Sequence, residues 1–174
     1  DESAFVHAAR AVGATPTLFA AMLISHCVRQ LHPQAEKPVI CNLAMDLRSA
    51  IGQEQTHRNC VGSAYLPYTA EDEKLAPAEM ARKYRELLAE QRDPNAVKAA
   101  LNKQIGLFNK LDELHSLEEK RKLMSFFNGM VSNTYVISYM GRLRLNDYAR
   151  YVESAHFFSD MICGLPVNMI AAAG

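Results

Sequence analysis

The stretch KPVICNLAMDLRSAIGQEQTHRNCVGSAYLPYT, from Lys37 to Thr69, decides the fold because it predicts two strands joined by a loop. Five apolar residues mark the first strand: Val39, Ile40, Leu43, Met45 and Leu47. This content predicts a strand that is buried on both faces. After a polar loop, Asn59-Cys60-Val61-Gly62 opens a second apolar strand that continues to Tyr68.

The first strand ends in two charged residues, Asp46 and Arg48, with one apolar residue between them. Side chains alternate between the two faces of a strand, so this spacing predicts that both charges lie on the same face. A carboxylate and a guanidinium at the end of a buried strand both require partners. The pair is therefore a candidate site, either structural or chemical.

Two helices are predicted before this stretch. Ser3 can cap a first helix that continues through Ala11 and ends at Gly13. Thr15-Pro16 predicts the start of a second helix, with threonine as the N-cap and proline at the first helical position. This helix continues to about Leu31, and its apolar first half predicts a central place in the core.

The region that follows the second strand predicts a solvated acidic connection, from Ala70 to Leu75, and then a helix that begins at Pro77. Apolar residues recur at helical spacing on its inner face: Met80, Tyr84, Leu87 and Leu88. Charged residues occupy its outer face: Glu79, Lys83, Arg85 and Glu86. This charged face predicts contact with solvent and nothing more.

Two further helices are predicted next. Asp93 can cap the first, from Asn95 to about Leu111. Its inward-facing residues are predicted to be Val97, Leu101, Ile105 and Phe108. Ser116 can cap the second, which Asn128-Gly129 is predicted to end.

The last part of the chain predicts strands again. Thr134 to Met140 is rich in β-branched and aromatic residues, and Gly141 is predicted to break this strand. A turn around Asn146 to Tyr151 and one or two apolar strands from His156 to Ala173 are predicted to follow. Strands separated by helices predict a layered α/β (α+β) domain with a mixed β-sheet flanked by helices.

Composition bounds the class of protein. The 174 residues suit a single domain, or one lobe of a larger enzyme, and the 19 basic and 19 acidic side chains give a net charge of zero. This balance argues against a nucleic-acid or anionic-membrane surface, and no apolar run is long enough for a membrane span. Four cysteines without regular spacing predict buried free thiols in a reducing cytoplasm. The chain does not begin with Met and shows no signal peptide, so we expect a fragment of a longer protein.

Three segments, in order along the chain, resemble a known superfamily. They are AARAVGATPTLFAAMLISHCVRQL near the start, MDLR followed by THRNCVGSAYLPYT in the middle, and TYVISYMGRLRLNDYARYVESAHFF near the end. Together they resemble the acyltransferases related to chloramphenicol acetyltransferase, which include alcohol acetyltransferases and the condensation domains of non-ribosomal peptide synthetases. Tyr139 stands where those proteins usually have Asn.

The resemblance implies that residues 1–174 form the C-terminal lobe of a two-lobe acyltransferase. Such enzymes transfer an acyl group from a thioester of coenzyme A or a carrier protein to an alcohol or an amine. Their general base belongs to an H-H-x-x-x-D-G motif. The chain has six histidines but no adjacent pair, so the base is expected on an N-terminal lobe and this chain alone is expected to be inactive.

The resemblance also implies a role for the charged pair. In such enzymes the arginine after this strand faces the junction of the lobes and pairs with the aspartate of the histidine motif, which would make Asp46 and Arg48 a structural site at that junction. A local ion pair or a capped strand end is an equally weighted alternative.

The remaining candidate residues are placed by the same resemblance. Asn59 and Gly62 are expected to line the tunnel for the acyl-pantetheine arm, although a glycine in a strand more often marks a bulge. Ser138 and Gly141 are expected at the acyl end of that tunnel, where a hydroxyl can polarise the thioester carbonyl; the alternative is a strand residue before a turn.

Three other interpretations concern phosphate, metal and partner binding. Arg142 and Arg144 could contact a nucleotide phosphate or a carrier protein, or simply lie on the surface. His57 and Cys60 lack the second ligand pair of a zinc site, so no metal is predicted. The whole chain could instead be a non-catalytic domain, derived from such a transferase, that docks a carrier protein or dimerises. An unrelated α/β domain remains open only if the Val39 and Val61 strands are not neighbours.

Overall fold

The structure is a computed structural model that describes residues 2–130, 133–142, 150–151 and 167–173. Within these residues it contains five α-helices, four strands and two short 3-10 helices. The helices are α1 (Glu2–Ala11), α2 (Pro16–Leu31), α3 (Pro77–Arg92), α4 (Pro94–Glu113) and α5 (Leu117–Met130). The strands are β1 (Val39–Asp46), β2 (Val61–Tyr68), β3 (Tyr135–Arg142) and β4 (Val167–Ala173). The α/β class predicted from the sequence is confirmed.

The four strands form one mixed sheet in the order β2-β1-β3-β4. β1 and β2 are antiparallel, in a regular register from Val39 opposite Tyr68 to Asp46 opposite Val61. β3 runs parallel to β1, and β4 runs parallel to β3. The Val39 and Val61 strands are therefore neighbours, which was the condition set against an unrelated α/β domain. A hairpin of this kind occurs in many folds, so the pairing by itself identifies no family.

The core lies on one face of the sheet. Alternate residues of β1, from Val39 to Met45, are buried, whereas the residues between them are half-buried. The prediction that β1 is buried on both faces is therefore wrong, because the described helices pack on the face toward which Val39 and Leu43 point. Apolar content alone did not reveal this, since the uncovered positions include Ile40 and Ala44, which are also apolar.

Helices α2 and α3 supply the other half of the core. Thr15 caps α2 as predicted, because its hydroxyl accepts a hydrogen bond from the Leu18 backbone N–H at 3.3 Å. The buried residues of the two helices join one cluster with the strands: Leu18, Ala21, Met22, Met80, Ala81, Tyr84 and Leu88. Burying such side chains contributes about 1.5–3 kcal/mol for each large one, so this layer stabilises the sheet.

Helix α4 extends beyond the core. Val97 in its first turn is buried, and Leu101 packs against the core cluster. Ile105 and Phe108 lie on the same helical stripe, but their exposed fractions are 55% and 52%, so their predicted inward position is wrong. Helical spacing identifies a face of a helix, and it does not show how far along that face the core extends.

Several predicted ends of elements are shifted. Helix α1 begins at Glu2, so Ser3 lies inside the first turn and is not the cap. Ser116 caps α5 through a hydrogen bond from the Glu119 N–H to its hydroxyl, but α5 continues past Asn128-Gly129 to Met130. β3 continues through Gly141 to Arg142, so the glycine does not break this strand. The predicted turn from 146 and the region from 156 to 166 lie largely outside the described residues.

No single helix of the described residues is long and apolar enough to cross a membrane. Helices α1 and α2 reach that length and composition only together, and they are bent by 88° relative to each other. Much of the apolar surface of α2 is buried in the core described above.

Candidate functional site: the open face of the sheet

One face of the sheet carries no core residue among those whose burial the structure describes, and we call it the open face. Its residues alternate with the buried ones on β1, β2 and β3, and all are half-buried or exposed in the part of the chain that the structure describes. They are Ile40, Asn42, Ala44, Asp46, Val61, Ser63, Tyr65, Pro67, Val136 and Ser138. The open face therefore presents a mixed polar and apolar surface that could form one wall of a binding site.

Asn42 lies at the centre of the open face. Its neighbours in the register are Tyr65 on β2 and Val136 on β3. It is half-buried, and its carboxamide makes no hydrogen bond to another described residue. A side chain with two donors and an acceptor is thus available to a ligand there. Asn42 was not predicted from the sequence, although a polar residue at even spacing from Asp46 in an apolar strand was the signal.

Asp46 and Arg48 form an ion pair at the end of β1. The distance between Asp46 Oδ1 and Arg48 Nη1 is 2.9 Å, and the same oxygen accepts the Arg48 backbone N–H at 3.0 Å. The exposed fractions of the two side chains are 62% and 31%, so the pair is not buried. The alternative of a local ion pair is confirmed, and a role at a junction between lobes stays a prediction.

The contact between these two side chains does not arise from strand alternation. β1 ends at Asp46, and Arg48 has a right-handed helical backbone at the start of the next turn. Its guanidinium also donates to the carbonyl oxygens of Thr56 and Arg58, at 3.1 Å and 3.2 Å. Hydrogen bonds from the Arg48 backbone and side chain hold the pKa of Asp46 below its ordinary value. Arg48 therefore fastens the loop between β1 and β2 to the end of β1.

Asn59 and Gly62 have structural explanations in this fold. The Asn59 side chain accepts a hydrogen bond from the Val61 backbone N–H at 3.1 Å, as in an Asx-turn. A Cβ at Gly62 would lie 2.6 Å from Leu47 Cδ1, so only glycine allows Leu47 to pack there. The register is regular where Gly62 faces Met45, which excludes a bulge at this position. Their predicted place in an acyl-pantetheine tunnel stays a prediction.

The candidate residues on β3 are distributed differently. Ser138 is half-buried and lies on the open face, because Ile137 beside it is buried on the core face. Gly141 lies within β3, beside a register irregularity between Tyr139 and Arg142. Arg142 is the last residue of β3, and Arg144 lies outside the described residues. Since β1 and β3 are parallel, Arg142 and Asp46 lie at the same end of the sheet.

The cysteines and histidines provide no second site among the described residues. No group of three or more potential metal ligands occurs there, which includes the surroundings of His57 and Cys60. Cys41 is buried, and this burial raises the pKa of its thiol to about 11, which makes it a poor nucleophile. Cys27 is exposed, so the prediction of buried thiols is wrong for that residue. Cys163 lies outside the described part of the chain.

A second polar group, buried in the core, was not predicted. The hydroxyls of Ser25 and Tyr135 are 2.7 Å apart, and Tyr135 donates to the Ala21 carbonyl oxygen at 2.8 Å. Burial raises the pKa of Tyr135 and of the neighbouring Tyr84, so both phenols stay protonated. These bonds join α2 to β3 and fix the strand that carries Ser138. A serine that directly follows the apolar run of α2 was the signal in the sequence.

An ion pair that contains a buried aspartate lies at the far end of β2. The Asp72 carboxylate accepts hydrogen bonds from the backbone N–H and hydroxyl of Thr69, at 2.8 Å and 2.9 Å, and from Lys83 of α3. Asp72 is only 5% exposed, so the prediction of a solvated connection is wrong for this residue. Burial alone would raise the pKa of Asp72, but the bonds from Lys83 and Thr69 outweigh it and lower the pKa.

Comparison with known proteins identifies no relative of this chain. No protein-family model matches the chain, and searches of the curated proteins and of the solved structures find no match. Any functional conclusion therefore depends on the residues themselves and on the resemblance of the three sequence segments.

Proposed function

We propose that this chain is one lobe of an acyltransferase that moves an acyl group from a coenzyme A or carrier-protein thioester to an alcohol or amine. The observation that carries the proposal is the one-sided sheet. Helices cover the face of Val39 and Leu43, whereas the face of Asn42 and Ser138 is open and partly polar. A second lobe of the same parent protein that packs toward this face would convert the open face into one wall of a closed tunnel.

The proposed reaction requires a base that this chain does not supply at the open face. A histidine of the other lobe takes the proton from the acceptor hydroxyl or amine, and the freed lone pair attacks the thioester carbonyl. The carbon–sulfur bond then breaks, and the thiol leaves with the proton that the histidine returns. In this scheme Asn42 and Ser138 offer hydrogen bonds to the pantetheine amides or the carbonyl oxygen.

Arg48 has a positioning role in this proposal. It already holds the loop from Thr56 to Arg58 and the end of β1, and its exposed edge could accept a carboxylate of the other lobe. A partly exposed arginine that has guanidinium N–H donors left over could bridge two lobes without a large desolvation cost. The proposed location is the reducing cytoplasm, where Cys27, Cys41 and Cys60 would remain free thiols.

The test is an assay of thiol release from acetyl-coenzyme A and longer acyl-coenzyme A thioesters in the presence of a panel of alcohols and amines. The parent protein that carries this chain should release thiol, and the 174-residue chain alone should not exceed background. Asn42→Ala and Ser138→Ala in the parent should lower the rate about 10-fold or more, since each removes a proposed hydrogen bond to the reacting group. Turnover by the isolated chain would refute the assignment to one lobe.

A second candidate function is a non-catalytic docking or dimerisation domain. One observation favours it: large apolar side chains are exposed along α4 and α5, at Ile105, Phe108, Leu117 and Phe126. Exposed apolar patches of this kind often mark contacts with a partner. The parent protein would then bind a carrier protein or itself without releasing thiol from any thioester.

A further inference from the structure

The outer edge of β2 is the edge of the sheet that is fully described, and only one of its outward N–H groups has no hydrogen bond to another described residue. β2 pairs with β1 on one side only, so alternate residues direct their backbone N–H and C=O groups away from the sheet. Tyr65 is one of these, because its N–H and C=O are bonded to a side chain outside the sheet. By alternation the others in the strand are Val61, Ser63 and Pro67.

Gln91 of α3 occupies the place of a neighbouring strand. Its Oε1 accepts the Tyr65 N–H at 2.7 Å, and its Nε2 donates to the Tyr65 C=O at 3.0 Å. A primary carboxamide has the same donor and acceptor as a peptide group, so this two-point contact copies the bonds of an added strand. The same Nε2 also donates to the Leu87 carbonyl oxygen at 3.1 Å, which fixes the side chain on α3.

Two of the other outward positions, Val61 and Pro67, also offer no free backbone N–H. The Val61 N–H donates to Asn59 Oδ1, and Pro67 has no N–H at all. Just beyond the strand, the Thr69 N–H donates to the buried Asp72 carboxylate. Ser63 is left as the outward position whose N–H has no hydrogen bond to another described residue.

We propose that Gln91, with Asn59 and Pro67, seals the β2 edge against the addition of a strand from a second copy of this chain. The occupant that the seal excludes is another β2, because two copies of an edge strand can pair antiparallel without any change in the core. This inference does not depend on the acyltransferase proposal, since it concerns backbone groups only.

Hydrogen exchange of the unmodified chain provides the direct test. The Tyr65 amide should exchange at least about 10-fold more slowly than the Ser63 amide, although both point away from the sheet. Equal rates for the two amides would overturn the proposal, because Gln91 would then not protect Tyr65. The Ala64 amide, which points toward β1, provides the internal reference.

Mutation tests the consequence. Gln91→Met keeps the length of the side chain but removes both bonds, and we expect the Tyr65 protection to fall about 10-fold and the average mass to rise with concentration. Glu90→Ala, at an exposed neighbouring position of α3, is the matched control, and its Tyr65 protection and average mass should equal those of the unmodified chain. Sedimentation over a series of concentrations measures the mass.

A third variant separates edge pairing from unfolding. Adding Ser63→Pro to Gln91→Met removes the one unbonded outward N–H, and it should restore the concentration-independent mass of the parent chain. Association that persists in the double variant would show that the β2 edge is not its route, and no association in Gln91→Met would show that the seal has no such function.

Discussion

The two ends of the β1–β2 hairpin each carry an aspartate paired with a basic residue, and the two pairs differ in almost every physical respect. Asp46 and Arg48 are two residues apart in the sequence, and both remain in contact with solvent. Asp72 and Lys83 are joined across 11 residues, and Asp72 is buried. The Asp46–Arg48 pair, which the sequence singled out, is thus expected to contribute little to stability. The Asp72–Lys83 pair, which the sequence did not single out, joins the end of β2 to α3.

The difference follows from desolvation. A carboxylate at the surface keeps most of its water, so an exposed ion pair gains little from its partner. A buried carboxylate has lost that water and must replace it with protein donors, as Asp72 does with Thr69 and Lys83. Removing Lys83 would leave the buried Asp72 carboxylate without its charged partner.

Asp72→Asn should have the largest effect. The amide cannot compensate Lys83, and its NH₂ group opposes the donors of Thr69, so we expect a loss of about 2–4 kcal/mol in the free energy of unfolding. Urea denaturation at neutral pH measures it. Glu71→Gln is the matched control, because the Glu71–Lys74 pair is exposed. A loss as small as that of the control would show that the bonds of Asp72 do not stabilise the contact between the end of β2 and α3.

Gly62→Ala should come next, and it tests what holds the other end. The new Cβ would collide with Leu47, which is buried, so we expect a loss of about 1–3 kcal/mol by overpacking. Ser63→Ala, at the exposed neighbouring position, should change little. The double variant with Gly62→Ala and Leu47→Ala should lose less free energy of unfolding than the sum of the two single variants. The smaller side chain at 47 removes the collision, and the new Cβ at 62 fills part of the space that the leucine leaves. Additive losses would contradict the close contact.

The acid dependence of stability should show the same contrast. The folded-state pKa of Asp72 is lowered, so its stabilising contribution is complete above the unfolded-state pKa of about 3.9. The contribution is then lost as the pH falls through the lower folded-state value. The urea midpoint of the parent chain should therefore fall on acidification, and Asp72→Asn should flatten that fall between about pH 5 and pH 2. An unchanged slope in the variant would assign the acid sensitivity to other carboxylates.

Asp46→Asn should have the smallest effect on stability. The side chain is exposed, so its urea midpoint should match that of Glu54→Gln, a control in the exposed loop between β1 and β2. In the parent protein the same change should lower thiol release if the pair serves the junction of two lobes. A large loss of stability would instead make this pair the structural equal of Asp72–Lys83.

The sequence predicted local structure well where local chemistry decides it. Thr15 and Pro16 placed the start of α2, Asp93 capped α4 through the Asn95 and Ala96 N–H groups, and the β1–β2 hairpin was found from its apolar runs. These features depend on hydrogen bonds and spacing within a few residues, which a single sequence displays directly.

The sequence failed where the extent of packing decides the outcome. Ile40 and Ile105 are as apolar as the residues beside them in the core, but no helix of the described residues covers Ile40, and α4 carries Ile105 beyond the core. Lys83 and Arg85 were assigned to a solvated face, yet Lys83 bonds Asp72 and Arg85 donates to the Gly13 carbonyl oxygen at 2.6 Å. Long charged side chains reach partners that helical periodicity does not reveal.

For the candidate site, the sequence supplied the residue types but not their arrangement. It singled out Asp46, Arg48 and Ser138, but it missed Asn42 and gave no sign that Leu47 packs against Gly62. Whether a strand residue faces the core or the open face depends on which side the helices pack, and that choice is made by the whole chain.

The sequence by itself determined the α/β class, the helix starts and the central hairpin, because capping bonds and alternation act between residues close along the chain. The open face, the burial of Asp72 and the contact of Gln91 with Tyr65 became visible only in three dimensions. Those outcomes depend on desolvation and on contacts between segments far apart in sequence, and local sequence patterns predict neither of them.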